Sequence, residues 1–367
     1  MAFTIKAPYS SIVEKRPLPR QIEVPKAMPR SVRPLSYLHH LSHPSAFADL
    51  LGASFRETGF AVITDHPIPQ PVIDKALAAA KAFFALPSET KMKYDDSQGG
   101  GQRGYTAFGQ ENAKDKAAAD LKEFWHRGRK APTGYGLESV MRETPSVPEI
   151  EDFDNATSNL FFALDELGMD LLQAIARHLG LEPQWFTPRV VDGNSILRLL
   201  HYPPQTSAQP KGAVRAGAHE DINVITLLLG AEEAGLEVKH SSGAWIPINP
   251  PDGAIVVNIG DMLDRMTGGI LPSTTHRVVN PSPERARFPR YSTPFFLHFA
   301  PNVLIDPLEQ CLAEGGKPAE PILAQDYLMQ RLKEIGLVKD AAVAAASTTT
   351  PAKPAPPSEK GPPAKPT

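Results

Sequence analysis

The stretch Gly217-Ala218-His219-Glu220-Asp221-Ile222-Asn223-Val224-Ile225 sets an imidazole and a carboxylate two positions apart, at the mouth of an apolar run that continues to Leu229. Residues i and i+2 of a strand project from one face, so this spacing lets His219 and Asp221 grip a single ion while Glu220 points away. The surrounding chain has the same texture. Short apolar segments recur at Ile196 to Tyr202, Ile222 to Leu229, Leu236 to His240, Ala254 to Ile259, Thr275 to Val279 and Tyr291 to Phe299, with breaks at Pro203, Pro204, Gly230, Gly243, Pro250, Gly253, Gly260 and Pro281. Short strands without intervening helices predict an antiparallel sandwich or jelly roll over residues 191–340.

Upstream, over residues 36–190, the pattern is mostly helical. Phe47, Leu50, Leu51 and Phe55 recur at helical spacing after Ser45, read as the N-cap, and Gly59 stops them. Phe60 to Ile63 makes a short strand. Ile73, Leu77, Ala80 and Phe84 mark a second helix between Pro71 and Pro87, and Leu160 to Leu179 a long third one closed by Gly180. All three stripes read as core-facing surfaces. Leu323, Tyr327, Leu328, Leu332 and Ile335 predict a closing helix. At the two ends, residues 1–35 carry six prolines and read as an extended arm, and residues 341–367 carry seven prolines and no aromatic residue and read as a disordered tail.

Composition limits the function classes. In 367 residues, 38 Lys and Arg stand against 41 Asp and Glu, so the net charge of −3 lacks the basic footprint needed to hold phosphate backbones or anionic membranes. No run of about 18 apolar residues offers a membrane span. One cysteine, Cys311, excludes an internal disulfide framework. With no secretory signal pattern at the N-terminus, the expected compartment is the cytoplasm.

A metal held by His219 and Asp221 needs a third ligand. His276 opens another predicted strand 57 residues later, where a folded barrel could bring it alongside. Two imidazoles and one carboxylate on one side of an octahedral ion leave the other side open, the pattern of non-haem Fe(II) oxygenases, while zinc is the alternative for the same donors. The nine further histidines are read as structural or surface groups. Arg290 and Ser292 are again an i, i+2 pair, a planar fork and a hydroxyl suited to one carboxylate. A dicarboxylate fits, with one end on the metal and the other on Arg290, and Tyr202 could add a hydroxyl.

The stretches His219-Glu220-Asp221-Ile222-Asn223-Val224-Ile225-Thr226-Leu227-Leu228, Gly260-Asp261-Met262 with Leu271-Pro272-Ser273-Thr274-Thr275-His276-Arg277-Val278-Val279-Asn280-Pro281, and Arg290-Tyr291-Ser292-Thr293-Pro294-Phe295-Phe296-Leu297 resemble the isopenicillin N synthase-like family of Fe(II)/2-oxoglutarate dioxygenases. Arg56-Glu57-Thr58-Gly59-Phe60 with Asp65-His66-Pro67-Ile68-Pro69 resembles the family's N-terminal segment. Gly104-Tyr105-Thr106-Ala107-Phe108-Gly109 and Asp120-Leu121-Lys122-Glu123-Phe124-Trp125-His126 look like bacterial members. The resemblance implies an α+β, mainly β fold, a double-stranded β-helix (jelly roll) with flanking helices. It also implies iron ligation by His219, Asp221 and His276, and binding of the distal carboxylate of 2-oxoglutarate by Arg290 and Ser292, with Tyr202 at the tyrosine of the family's Asn-Tyr-Tyr-Pro pattern. Leu200 replaces the asparagine of that pattern, and the segment from Pro283 to Pro289 is longer than usual. The implied reaction takes O2 and 2-oxoglutarate, releases succinate and CO2, and oxidises, by default hydroxylates, a C–H bond of a small-molecule substrate. An oxidase of the same fold that needs no 2-oxoglutarate and a catalytically silent binding module are the alternatives. Sequence sets no oligomeric state.

Overall fold

The computed structural model describes residues 32–96, 101–110, 121–134, 136–138, 140–205, 215–229, 235–280 and 282–334. The expected disordered tail, nearly all of the expected arm, Gly230, Pro281 and Ile335 lie outside the described residues. Helices are α1 (Tyr37–Ser42), α2 (Pro44–Thr58), α3 (Gln70–Phe84), α4 (Ser88–Met92), α5 (Phe153–His178), α6 (Thr187–Val190), α7 (Asp261–Thr267), α8 (Pro283–Ala286), α9 (Glu309–Ala313) and α10 (Ala324–Glu334). None is long and apolar enough to cross a membrane.

The strands, in chain order, are β1 (Pro34–Ser36), β2 (Phe60–Thr64), β3 (Gly104–Thr106), β4 (Glu123–Gly128), β5 (Ile196–Tyr202), β6 (Ala216–His219) and β7 (Ile225–Leu229). There follow β8 (Leu236–Lys239), β9 (Trp245–Pro247), β10 (Ile255–Ile259), β11 (His276–Val278), β12 (Arg290–Ser292), β13 (Pro294–Leu297), β14 (Leu304–Ile305) and β15 (Ile322–Leu323). A major sheet runs β1-β2-β10-β7-β13-β5-β4-β3, with β12 also on β5, and a minor sheet runs β6-β11-β8-β9. Among the described residues, pairing of these strands is antiparallel except for β1 beside β2. This is the expected jelly-roll architecture.

Pleating sorts the major sheet into two faces. Leu197, Leu199, Ile225, Leu227, Ile255, Val257, Phe295 and Leu297 point outward and join Phe47, Leu51, Phe83, Leu160 and Leu164 of α2, α3 and α5 in one core. The alternate residues point inward. There Phe60, Val62 and Val256 meet Val238 and Ile246 of the minor sheet, and Phe124, Leu200 and Tyr202 form a separate small cluster. The candidate site residues of the major sheet, Tyr202, Arg290 and Ser292, lie along this inner face.

Several local expectations change. Helix α2 starts at Pro44, with His43 rather than Ser45 at its N-cap position, because Pro44 brings the φ that a first turn needs and lacks the N–H that would go unbonded. Gly59 ends it in the left-handed region, φ 73°, as read. The strand expected from Ile222 begins only at Ile225, and the one expected over Tyr291 to Phe299 divides into β12 and β13. The region before residue 190 also contributes β1 to β4. Strand β4 does not show in the sequence pattern, since Glu123, His126 and Arg127 look like surface residues; each finds a distant partner, Glu123 on Lys91, His126 on Arg198 and Arg127 on Asp154.

Helix α5 is tied to α2 through His178, whose Nε2 accepts the Nε–H of Arg56 at 2.9 Å. Burial first, and then the Arg56 charge, push the His178 pKa down to about 4. Burial likewise holds His298 at about 4. An unfolded histidine protonates near pH ~6.5. The native state therefore holds its full stability above that value and loses it as pH falls towards 4. The melting temperature of metal-free protein is expected to fall between pH 6.5 and 4, more steeply in the wild type than in His178→Gln, which keeps an acceptor for Arg56. Calorimetry across that range checks this; equal slopes would place the acid sensitivity elsewhere.

Candidate metal centre and cosubstrate pocket

His219 and His276 are direct register partners across β6 and β11, so two residues far apart in the chain face each other with ring centroids 4.4 Å apart. Asp221 joins them by another route than the one expected. Strand β6 ends at His219, and Asp221 lies beyond it, directly before a bend over residues 222–224 that leads into β7. The bend is pinned by the start of α7: the Asp261 N–H donates to the Asp221 carbonyl at 2.7 Å, and the Met262 N–H to that of Asn223 at 3.1 Å. Gly260 makes the approach possible, because a Cβ there would lie 2.2 Å from the Asn223 carbonyl oxygen. Glu220 points away, as read, and accepts from Thr275.

Among the described residues, His219, Asp221 and His276 are the group whose donor atoms could share an ion; all three lie within 4.8 Å of one another. Asp221 Oδ1 is 3.7 Å from His219 Nε2 and 3.8 Å from His276 Nε2. Metal–donor bonds of about 2.0–2.2 Å can span such gaps. The outer atoms are also committed. His219 Nδ1 bonds the Gly217 carbonyl at 2.7 Å and His276 Nδ1 that of Thr274 at 3.1 Å, which leaves each Nε2 as the lone pair facing the centre. Asp221 Oδ2 accepts from Thr226 Oγ1 at 2.6 Å and from Asn258 Nδ2 at 2.8 Å, leaving Oδ1 to face the imidazoles. Phe60 packs edge-on against His276.

Electrostatics favour the same protonation states. Desolvation, then His276, hold the His219 pKa down at about 4, so the ring is neutral at pH 7. Burial alone would raise Asp221, but the two histidines and the Thr226 and Asn258 hydrogen bonds outweigh it and keep the carboxyl below its usual range. Two imidazoles and a carboxylate form the mixed N/O donor set that suits ferrous iron. The residues fit the metal that the sequence reading expects.

Beside this centre, β12 lies on β5 with Arg290 opposite Tyr202 and Ser292 opposite Leu200. All four are buried. The segment before Arg290, longer than usual in sequence, folds into the short α8, and the Gln205 N–H bonds the Ala286 carbonyl at 2.7 Å, which returns β12 to β5. The Arg290 guanidinium carbon is 5.1 Å from the Tyr202 ring centroid, and that of Arg215 is 5.9 Å from it. Tyr291 and His201 face outward and stack at 4.9 Å. Spacing could not reveal Arg215, Thr226 or Asn258, which matter only through what folding brings next to them. On β4, Phe124 turns inward with His126, whereas Trp125 enters the outer core.

Two family models match the chain: the non-haem dioxygenase in morphine synthesis N-terminal family over residues 32–149 and the 2OG-Fe(II) oxygenase superfamily over residues 193–299. A 2-oxoglutarate-Fe(II) type oxidoreductase of Emericella nidulans is 34% identical over 286 residues, 75% of this chain and 81% of its own. A proline hydroxylase of Petromyces alliaceus is 34% identical, covering 78% of this chain and 92% of its own. Among solved structures, a 2OG-Fe(II) oxygenase family protein of Caulobacter crescentus is 52% identical with a TM-score of 0.76, over 83% of this chain and 99% of that one. A Neurospora crassa protein, solved in complex with alpha-KG and thymine, is 29% identical with a TM-score of 0.74, over 82% of this chain and 96% of that one. With its jelly roll and its two matched segments, the chain belongs to the isopenicillin N synthase-like 2OG-Fe(II) oxygenases and is a dioxygenase dependent on Fe(II) and 2-oxoglutarate.

Proposed function

We propose that His219, Asp221 and His276 hold the Fe(II), that Arg290, Ser292 and Tyr202 receive the distal carboxylate of 2-oxoglutarate, and that the enzyme hydroxylates a C–H bond of a small organic molecule. The observation that carries this reading is the convergence of three donors within 4.8 Å, each with its outer atom already hydrogen-bonded. When bound, Fe(II) supplies the chemistry that couples O2 and 2-oxoglutarate, released as succinate and CO2, to oxidation of the substrate. The chain's own residues do the rest. The Gly217 and Thr274 carbonyls keep the imidazole tautomers fixed, and Thr226 and Asn258 hold the carboxylate with one oxygen presented. Arg290 offers a planar fork to the carboxylate and Ser292 one further donor. Leu200 sits opposite Ser292 in place of an amide, so that wall of the pocket is apolar and the carboxylate rests on the arginine.

The Neurospora crassa protein is solved with thymine and the Petromyces alliaceus relative is named a proline hydroxylase; both support a small-molecule substrate here. We treat residues 36–190 and 191–340 as an N-terminal region and an oxygenase core, working as one unit because β2 and β4 share a sheet with β5, β7 and β10. The single, buried Cys311 suits a reducing compartment, and we read the protein as cytoplasmic.

Anaerobic titration with Fe(II) and 2-oxoglutarate tests the site: a visible charge-transfer band is expected in the wild type. His219→Ala and Asp221→Ala are expected to abolish both the band and substrate-dependent succinate release, and turnover in either purified variant would refute the ligand assignment. Thr226→Val leaves the donors in place but loosens Asp221, so Fe(II) affinity is expected to fall about 10- to 100-fold, measured by competition with a chelator. Arg290→Lys keeps the charge and loses the fork. Its KM for 2-oxoglutarate is expected to rise at least tenfold with iron affinity unchanged.

A further inference from the structure

Helix α7 touches the backbone of the metal centre at two places. Its Asp261 and Met262 N–H groups hold the Asp221 and Asn223 carbonyls, at 2.7 and 3.1 Å. Its Asp264 carboxylate accepts the Ser273 N–H at 2.7 Å, at the start of the segment that carries Thr274, whose carbonyl fixes the His276 ring. One short helix therefore sets the chain before β7 and the chain before β11. Whatever holds α7 in place also acts on Asp221 and His276.

The C-terminal segment grips this helix. At its far end the Leu308 N–H donates to the Met266 carbonyl at 2.9 Å and the Lys317 N–H to that of Gly268 at 2.8 Å. The Arg265 guanidinium donates to the Glu320 carbonyl and lies 5.8 Å from the Tyr327 ring centroid. Arg331, on α10, reaches the other end. Its Nη2 lies 3.2 Å from Oδ2 of Asp261, the first residue of α7, while its Nη1 bonds Glu334 Oε2 at 2.6 Å on its own helix. The guanidinium thus ties α10 to the turn whose N–H groups hold the Asp221 backbone. Asp261 needs such a partner, because its side chain is only 9% exposed and Glu220 and Asp221 act on it as like charges. A buried carboxylate that loses its counter-charge is costly to keep in place.

We infer that Arg331 is a positioning residue of the metal centre: by pairing with Asp261 it keeps the first turn of α7 where its N–H groups hold the Asp221 backbone, so that the closing helix α10 serves the iron site. This rests on the functional reading above, in which His219, Asp221 and His276 hold the Fe(II). Without Arg331, the Asp261 carboxylate stays charged beside Glu220 and Asp221 and turns towards water, drawing its N–H away from the Asp221 carbonyl. The Asp221 Oδ1 is then presented less well and the metal is held less tightly. Removing both charges together takes away the repulsion and leaves the backbone N–H where it was. The sign of the double substitution is therefore opposite to that of the single one.

The test is titration of metal-depleted, full-length protein with Co(II), a spectroscopic stand-in for Fe(II), near neutral pH. Visible absorption reports the coordination geometry, competition with a chelator the affinity, and calorimetry the melting temperature of each variant. Arg331→Met is expected to weaken Co(II) about tenfold and to change the absorption band. Arg331→Lys, which keeps the charge, should stay within about threefold of the wild type, and Arg331→Met combined with Asp261→Asn should recover most of the loss. Leu332→Val trims the buried neighbour on the same helix. It should lower the melting temperature while Co(II) affinity moves less than about twofold, which separates positioning from general loosening. Equal affinity in wild type and Arg331→Met, an equal loss in Leu332→Val, or no recovery in the double variant would each overturn the inference. Absence of Co(II) binding in the wild type, or its persistence unchanged in His219→Ala, would instead overturn the functional reading on which it rests.

Discussion

The Asp221 carboxylate is where the major and minor sheets are held to each other. It leaves the end of a minor-sheet strand, and two residues of the major sheet, Thr226 on β7 and Asn258 on β10, donate to one of its oxygens. A carboxylate 7% exposed in its side chain is costly to bury unless it is paired. Here hydrogen bonds satisfy one oxygen and the other meets two imidazoles. Removing that charge would leave Thr226, Asn258 and two converging histidines arranged around nothing, so the geometry of the centre follows from this one group.

The rest of the architecture keeps that meeting point rigid. On the outer face of the major sheet, α2, α3 and α5 bury a large continuous core, far larger than the apolar clusters of the inner face. The inner face is thereby free to carry polar residues at Arg198, Thr226, Asn258, Arg290 and Ser292. Stability and chemistry are divided between alternate residues of the same strands. The approach of α7, permitted by the missing Cβ of Gly260, then locks the bend carrying Asp221.

Much of this is legible in the chain. Strands β5, β7, β8, β10, β11 and the run that becomes β12 and β13, the helices α2, α3, α5 and α10, and the pairing of His219 with Asp221 follow from short-range pattern, because the periods of strand and helix and the i, i+2 rule are local, whereas β6, β9, β14 and β15 are not read from it. Local rules mislead where a long-range contact overrides them. Asp221 shares a centre with His219 through a bend held by α7 rather than through the pleat of one strand. Strand β4 escapes the pattern because the partners that make Glu123, His126 and Arg127 tolerable inside a sheet come from Lys91, Arg198 and Asp154.

The sequence by itself determined which residue types were available, an imidazole pair, a carboxylate, an arginine and a serine at i, i+2, and the alternation that gives each strand an inner and an outer face. Only the tertiary structure decided that His219 and His276 are cross-strand partners, that Thr226 and Asn258 secure one oxygen of Asp221, and that Arg198 and Arg290 occupy different stretches of one wall. The physical reason is that alternation sets the side a residue faces, whereas the hydrogen-bonded register between distant strands sets what it faces, and register is a property of the assembled sheets.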